Sequence, residues 1–113
     1  MTDVFILSAA RTPVGSFGGS LSGLGPIDLA THVAKAAIAR AGVEAGQIGT
    51  SVFGHVLNTE PRDMYLSRVA AINAGMADGA VAMNVNRLCG SGAQAIVSAA
   101  QMLMLGDADM ALA

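Results

Sequence analysis

The chain has 113 residues, of which 53% are hydrophobic and only 12% are charged. Its net charge of −2 provides no basic surface, so we expect no nucleic acid partner, and its single cysteine excludes a disulfide within the chain. A domain of this size has a large surface relative to its core, so the low charge predicts that part of this surface is covered by further polypeptide.

The first predicted element is a strand over residues 4–10, a continuous apolar run of the kind that is covered on both faces. A long glycine-rich connection, residues 11–27, follows this strand. The first helix is predicted to begin near Asp28, which suits the N-cap position, and to end at Gly42.

The rest of the chain alternates between short apolar runs and helical segments, which predicts an α/β fold with a parallel sheet. Residues 93–105 carry no charge, and a helix that is neutral on every face is a buried helix, so we expect it in the centre of a layered structure. The predicted elements are a strand at 51–57, a helix at 62–74 stopped by Gly75, a strand at 81–86, a helix that starts at or just after Cys89, runs to Leu105 and ends at Gly106, and a strand that opens within 108–113.

The two ends of the chain give expectations about location and completeness. Asp3 stands where a secretory signal carries a basic region, and no stretch reaches membrane-spanning length without charge, Gly or Gln. We therefore expect a cytoplasmic protein with no membrane partner. Residues 108–113 have the composition of an opening buried strand with no polar tail, so we expect a truncated chain.

The segment with the clearest chemical content is residues 87–93, at a predicted strand-to-helix turn around Cys89. A helix N-terminus presents free N–H groups and partial positive charge, so a thiol placed there ionises readily and becomes a nucleophile. Gly90 and Gly92 allow a tight turn and leave room for a substrate carbonyl. The alternative is that Cys89 is a small buried hydrophobic residue, which is the usual role of a free cysteine.

A second interpretation uses the same turn as a dinucleotide-binding site. Gly90, Gly92 and Ala95 fit G-x-G-x-x-G/A after a strand, and Asp109 lies about 20 residues on, where the fingerprint places a carboxylate. In that fingerprint, however, the acid follows a strand, whereas Asp109 opens one. The glycines also follow the third predicted strand and not the first.

The remaining polar and sulfur-containing residues have structural roles as their default interpretation, and no metal site is expected. We predict His32 to be a partly exposed helix residue and His55 a core or loop histidine. The methionines at 102, 104 and 110 are predicted to fill the core. A solvated or subunit-facing role is predicted for three charged residues at the start of the second helix, with contact to CoA as the alternative: Arg62, Asp63 and Arg68.

Several motifs together resemble the thiolase family. Residues 84–92, Asn-Val-Asn-Arg-Leu-Cys-Gly-Ser-Gly, resemble the nucleophile segment of that family, and residues 8–19 resemble its opening strand and loop. Residues 106–109 resemble the link into its fourth strand. Residues 59–68 are similar to the variant found in bacterial β-ketothiolases. The resemblance covers the whole chain in the order of the family.

The resemblance implies a layered α-β-α-β-α fold, of which this chain is most of the N-terminal half. Residues 1–113 would be a truncated N-terminal thiolase domain, with the rest of that domain, a loop domain and a C-terminal domain absent. The implied partners are acyl-CoA and acetyl-CoA as substrates, with no separate cofactor. A homodimer or homotetramer is implied as well, in which the strand at 81–86 pairs with its twin. That strand contains no Lys or Pro to protect a free edge.

The resemblance also implies a reaction. An acyl-CoA acyltransferase of this family condenses acyl-CoA with acetyl-CoA, or cleaves 3-ketoacyl-CoA, through an acyl thioester on Cys89, whose backbone N–H forms part of an oxyanion hole. The family also uses a His in a Gly-His-Pro segment, a second Cys as acid and base, and an Asn that orders an oxyanion-hole water, and the resemblance places all three beyond Ala113. We therefore expect the fragment alone to be inactive. The alternative is a non-catalytic, thiolase-like binding or scaffold protein that has kept the fold.

Overall fold

The computed structural model describes residues 2–113, which form a three-stranded parallel sheet with helices on both faces. The strand order is β2-β1-β3, so β1 is central and β2 and β3 form the edges. This arrangement confirms the predicted α/β class. In chain order the elements are α1 Pro26–Ala41, β1 Thr50–Gly54, α2 Leu66–Asn73, β2 Val81–Val85, α3 Ser91–Leu105 and β3 Ala111–Leu112, with 3-10 turns at Ala45–Gln47 and Pro61–Tyr65.

Glycine and proline set the limits of α1. Pro26 occupies its first turn, where a missing N–H costs nothing, and Gly25 is the N-cap. Asp28 was predicted as the N-cap but lies at the third helical position, from which its carboxylate accepts the Gly25 N–H at 3.1 Å. At the other end Gly42 adopts a left-handed conformation with φ 68°, as predicted for a C-cap.

The core lies on both faces of β1. Val52 is fully buried and packs against Ala95 and Ala99 of α3. On the opposite face, Ser51 donates a hydrogen bond to the carbonyl of Ser67 at 3.3 Å, which ties the strand to α2. Helices α1 and α2 cover that face through two apolar clusters, made up of Ala34, Ile38, Ile48, Ala71, Met76 and Leu112, and of Ile27, Ala30, Leu66 and Ala70.

No strand forms at residues 4–10, contrary to the prediction from the apolar run. The segment is held to α1 by two hydrogen bonds, from Ser8 Oγ to the Ala37 carbonyl at 2.7 Å and from Arg40 to the Ala9 carbonyl at 2.8 Å. It lines one side of a groove of about 960 Å³, with α1, α3 and β3 on the other sides. A strand requires a neighbour with which to exchange backbone hydrogen bonds, and within residues 2–113 this segment has none.

Helix α3 is buried along one stripe only, through Ser91, Ala95 and Ala99. The prediction of a helix buried all round is therefore wrong for residues 2–113, where Val97 is 48% exposed and Leu105 is 79% exposed. The segment Leu88–Leu105 is long and apolar enough to cross a membrane by length and composition. The buried stripe against β1 is instead typical of a core helix in a layered protein.

Candidate active site

Cys89 lies in the turn from β2 into α3, and the residue before it, Leu88, has an unusual backbone conformation. Leu88 has φ 48°, the left-handed region that side chains other than Gly rarely adopt. That conformation costs about 1–2 kcal/mol for an L-residue with a Cβ. A strained residue of this kind persists only where its surroundings hold it, and it is typical of functional turns.

Hydrogen bonds within the turn supply this restraint. The Leu88 N–H donates to Asn86 Oδ1 at 3.0 Å, and the Leu88 carbonyl accepts from Ser91 Oγ at 2.6 Å. The Arg87 N–H donates to the same Ser91 Oγ at 2.9 Å. The Gly90 N–H bonds to the Arg87 carbonyl at 3.0 Å, which closes the turn.

Cys89 is exposed, so the interpretation as a small buried hydrophobic residue is wrong for this chain. The helix begins at Ser91 with Gly90 as its N-cap, which confirms the predicted helix start just after Cys89. The N–H donors that bond within the turn are those of Arg87, Leu88, Gly90 and Ser91. The Cys89 N–H is not among them within residues 2–113. The turn therefore presents an exposed thiol next to the amino end of a 15-residue helix.

The turn is seated directly on the end of β1. A Cβ on Gly54, the last residue of β1, would lie 2.6 Å from the carbonyl carbon of Ser91 and 2.8 Å from the Gly92 nitrogen. Only a residue without a side chain allows the two backbones to come this close. Gly54 did not emerge as a site residue from the sequence, because the contact joins positions 37 apart and has no local pattern.

Asp63 is fully buried, which corrects the prediction of a solvated or subunit-facing residue. Its Oδ2 accepts the Thr59 N–H and Thr59 Oγ1 at 2.7 Å each and the Glu60 N–H at 3.1 Å. Burial raises the pKa of this carboxyl, but the hydrogen bonds from Thr59 and Glu60 outweigh it and hold the pKa below its usual value. The available signal was Asp63 three residues after Glu60 with Pro61 between them, a spacing typical of a capped first turn.

Asn84, in β2, connects the strand that leads to Cys89 with the start of α2. Its Nδ2 donates to the Met64 carbonyl at 2.9 Å, and its Oδ1 accepts the Ser67 N–H at 2.9 Å. β2 is an edge strand, so it has a neighbouring strand on one side only. The Asn84 carboxamide provides additional hydrogen bonds, to backbone groups at the start of α2. Asn84 also donates to the Asp63 carbonyl at 3.4 Å, so that β2 is bonded both to the 3-10 turn and to α2.

The histidines lie apart from Cys89 in the hydrogen-bond network of residues 2–113. His32 is exposed on α1, as predicted. His55 follows β1, where its N–H donates to the Val85 carbonyl at 2.9 Å and its Nε2 lies 2.9 Å from Asn58 Oδ1. Across these described residues, no group of three or more His, Cys, Asp or Glu side chains is placed to hold a metal ion.

The other singled-out residues have structural contacts. Arg62 forms an exposed ion pair with Glu60 at 2.9 Å, and Arg68 donates to the carbonyls of Ala80 and Asp78 at 2.7 and 2.9 Å. The core role predicted for the methionines is right for two of them and wrong for the third. Met102 and Met110 pack against the core, whereas Met104 is 46% exposed.

The geometry also excludes the dinucleotide-binding interpretation. Gly90 lies beyond the carboxyl end of β2, whereas Asp109 lies before the first residue of β3. β2 and β3 run parallel, with Val81 and Ala111 both in register with Thr50. Gly90 and Asp109 therefore lie at opposite ends of the parallel strands, Gly90 at the carboxyl end and Asp109 at the amino end. Asp109 therefore cannot contact a ribose whose phosphates bind at the turn.

The chain matches one protein family over almost its whole length. The family described as "Thiolase, N-terminal domain" matches residues 4–113. The chain is 54% identical over 110 residues to beta-ketothiolase BktB of Cupriavidus necator, an alignment that covers 97% of this chain and 28% of the relative. It is 46% identical over 113 residues to acetyl-CoA acetyltransferase of the same organism, which covers 100% of this chain and 28% of that relative.

Solved structures give the same result. The crystal structure of human mitochondrial 3-ketoacyl-CoA thiolase in complex with CoA superposes with a TM-score of 0.89 at 35% identity, over 92% of this chain and 26% of that one. The chain thus spans little more than a quarter of the length of the relatives it matches.

Proposed function

The chain belongs to the thiolase family, and on that premise we propose that it supplies the nucleophile part of an acyl-CoA acyltransferase active site. The carrying observation is the exposed Cys89 in a strained strand-to-helix turn, with an available N–H at the helix start. A thiol in this setting has access to substrate and lies just before the amino end of α3.

The proposed reaction has two half-reactions that share an acyl-enzyme. The Cys89 thiolate attacks the thioester carbonyl of an acyl-CoA, a carbon–sulfur bond forms, and CoA leaves as its thiolate. A base removes a proton from the acetyl methyl group of acetyl-CoA, a proton that balances the one taken up by the released CoA. The resulting carbanion attacks the thioester on Cys89, which forms a carbon–carbon bond and releases the Cys89 thiolate. Thiolysis of a 3-ketoacyl-CoA is the same sequence in reverse. Neither histidine has a hydrogen bond to Cys89 within residues 2–113, and neither stands in the Gly-His-Pro segment to which the family resemblance assigns the base.

We propose that the Cys89 N–H stabilises the oxyanion of the tetrahedral intermediate. The carbonyl under attack must lie beside the thiol, and the free amide of the same residue is then within reach of its oxygen. A preorganised donor of this kind typically contributes about 10²- to 10³-fold to kcat. The N-terminal end of α3 adds to this stabilisation, because its partial positive charge falls on the same side of the turn.

The proposed partners are CoA thioesters and a second copy of the chain, with no further cofactor, in the cytoplasm. CoA is present in the complex of the human relative. For a second copy, the free edge of β2 is the available surface, since β2 ends the strand order and Val81 and Met83 are 55% and 40% exposed. An edge that carries apolar side chains and no Lys or Pro suits an isologous strand pair.

The test is acyl transfer by the intact protein with Cys89→Ser and Cys89→Ala variants. Wild type should release CoA from acetyl-CoA and gain the mass of one acetyl group on Cys89. Both variants should lose about 10³-fold or more in turnover, because the nucleophile is absent or weak. A Ser98→Ala variant, altered on the same helix but two turns away, is the matched control and should keep its activity. Unchanged turnover in Cys89→Ala contradicts the proposal.

A further inference from the structure

The hydroxyl of Ser91 is buried and bonds on both sides to the segment that precedes Cys89. Ser91 is 5% exposed, and its Oγ donates to the Leu88 carbonyl at 2.6 Å while it accepts the Arg87 N–H at 2.9 Å. A serine hydroxyl has one proton, so its whole donor capacity is spent on Leu88. The Ser91 hydroxyl therefore bridges the N–H of Arg87 and the carbonyl of Leu88, the first and last backbone polar groups of this dipeptide.

These bonds hold Leu88 in its left-handed conformation. With φ 48°, Leu88 sits about 1–2 kcal/mol above an ordinary conformation, so any loss of restraint favours its release. A change of φ and ψ at Leu88 redirects the chain at the next residue, which is Cys89. The direction of the thiol therefore depends on whether Leu88 stays left-handed.

Ser91 is itself fixed to the sheet, which makes its hydroxyl a stable reference point. Its carbonyl carbon lies where a Cβ on Gly54 would approach to 2.6 Å, so its backbone is seated against the end of β1. Asn86 also restrains Leu88, but Asn86 is exposed and its second bond, to the Val56 carbonyl, is long at 3.4 Å. Ser91 is thus the buried one of the two side chains that hold the turn.

We propose that Ser91 is a positioning residue for Cys89, acting through the peptide groups of Arg87 and Leu88. This inference rests on the proposed function, in which Cys89 carries the acyl group. Without the hydroxyl, the Arg87 N–H loses its acceptor, and the Leu88 carbonyl keeps only the Ser91 N–H at 3.0 Å. Nucleophilic attack requires the reacting atoms at about 3–3.5 Å, and a misplacement of about 1 Å can cost about 10²-fold in rate.

The experiment compares Ser91→Ala with wild type in the intact protein. We expect kcat to fall about tenfold or more, with KM within about twofold, because the thiol moves while the CoA-binding surfaces do not. Alkylation of Cys89 by iodoacetamide should slow about threefold or more, since the thiol leaves its position beside the helix start. Ser98→Ala, which removes the hydroxyl that accepts from Gln94 at 3.0 Å on the same helix, should change neither rate.

A further variant keeps the test decisive if Ser91→Ala does not fold. Ser91→Thr retains the hydroxyl and should keep kcat within about threefold of wild type. The proposal is overturned if Ser91→Ala keeps wild-type kcat and alkylation rate, or if Ser91→Thr loses as much kcat as Ser91→Ala at an unchanged melting temperature. Alkylation needs no substrate, so it reports on Ser91 even if wild type shows no acyl transfer, a result that refutes the proposed function alone.

Discussion

Replacing Gly54 by Ala adds one methyl group where the structure has no room for it. The new Cβ would lie 2.6 Å from the Ser91 carbonyl carbon and 2.8 Å from the Gly92 nitrogen. Carbon–carbon contacts are comfortable at about 3.5–4.0 Å, so the two backbones must separate by about 1 Å. The neighbours are backbone atoms at the start of a 15-residue helix, which no rotamer change can move.

The displacement should affect both stability and catalysis. Overpacking of this kind costs about 1–3 kcal/mol in unfolding free energy, which lowers the melting temperature by a few degrees. A shift of about 1 Å at the nucleophile can cost about 10²-fold in rate. We therefore expect Gly54→Ala to lower kcat by about tenfold to a hundredfold in the intact protein, with a folded circular dichroism spectrum.

The assay is steady-state release of CoA from acetyl-CoA, together with the rate of Cys89 alkylation by iodoacetamide. Gly46→Ala is the matched control, since a Cβ at Gly46 meets no heavy atom within 4 Å and its φ is ordinary. It should leave both rates unchanged. If Gly54→Ala keeps kcat and the alkylation rate within about twofold of wild type, the argument that β1 seats the nucleophile turn is wrong.

Two further changes probe the surroundings of the turn. Met83→Lys places a charge on the free edge of β2 and should weaken the proposed dimer and lower activity together; light scattering that finds wild type to be a fully active monomer at micromolar concentration contradicts this. Asp63→Asn should lower the melting temperature at neutral pH. The side-chain NH2 of Asn would take the place of Oδ1, the buried carboxylate oxygen that has no hydrogen-bond partner within residues 2–113. The pKa of Asp63 is lower in the folded state than in the unfolded state. Its ionised carboxylate therefore stabilises the fold fully above the unfolded pKa of about 4, and this stabilisation is lost as the pH falls through the folded pKa. The melting-temperature difference should therefore shrink in acid, and a constant difference refutes the assignment.

Features of the fold that depend on local sequence were predictable. Gly42 and Gly106 end their helices with φ 68° and 81°, and both stops were visible as glycines after apolar periodic segments. The absence of a strand at residues 4–10 was not predictable in the same way. The apolar run can be read from the sequence, but a strand also requires a neighbouring strand with which it exchanges backbone hydrogen bonds. Within residues 2–113 this segment has no such neighbour.

In the candidate site, too, features with a local sequence pattern were predictable and features that depend on contacts in the folded chain were not. Cys89 was found because a thiol between a strand and glycines that open a helix is a local pattern. The left-handed Leu88 has no such signal, because leucine is not a residue that favours this conformation. Gly54 and the burial of Asp63 were missed because they depend on what the folded chain brings beside them.

The geometry around Cys89 is specified mainly within one short segment. The restraints on Leu88 come from Asn86 and Ser91, two and three residues away, and within residues 2–113 the longer-range support comes from the contact of Gly54 with Ser91 and from the bond of Asn86 to the Val56 carbonyl at 3.4 Å. Within the described residues, the groups that orient the thiol therefore belong to this segment and to the end of β1. In the proposed reaction, binding of acyl-CoA and removal of the thiol proton require surfaces and a base that the turn does not contain, so the reactivity of Cys89 and turnover should be separable. Substitutions at Gly54 or Ser91 should change the first and, through it, the second.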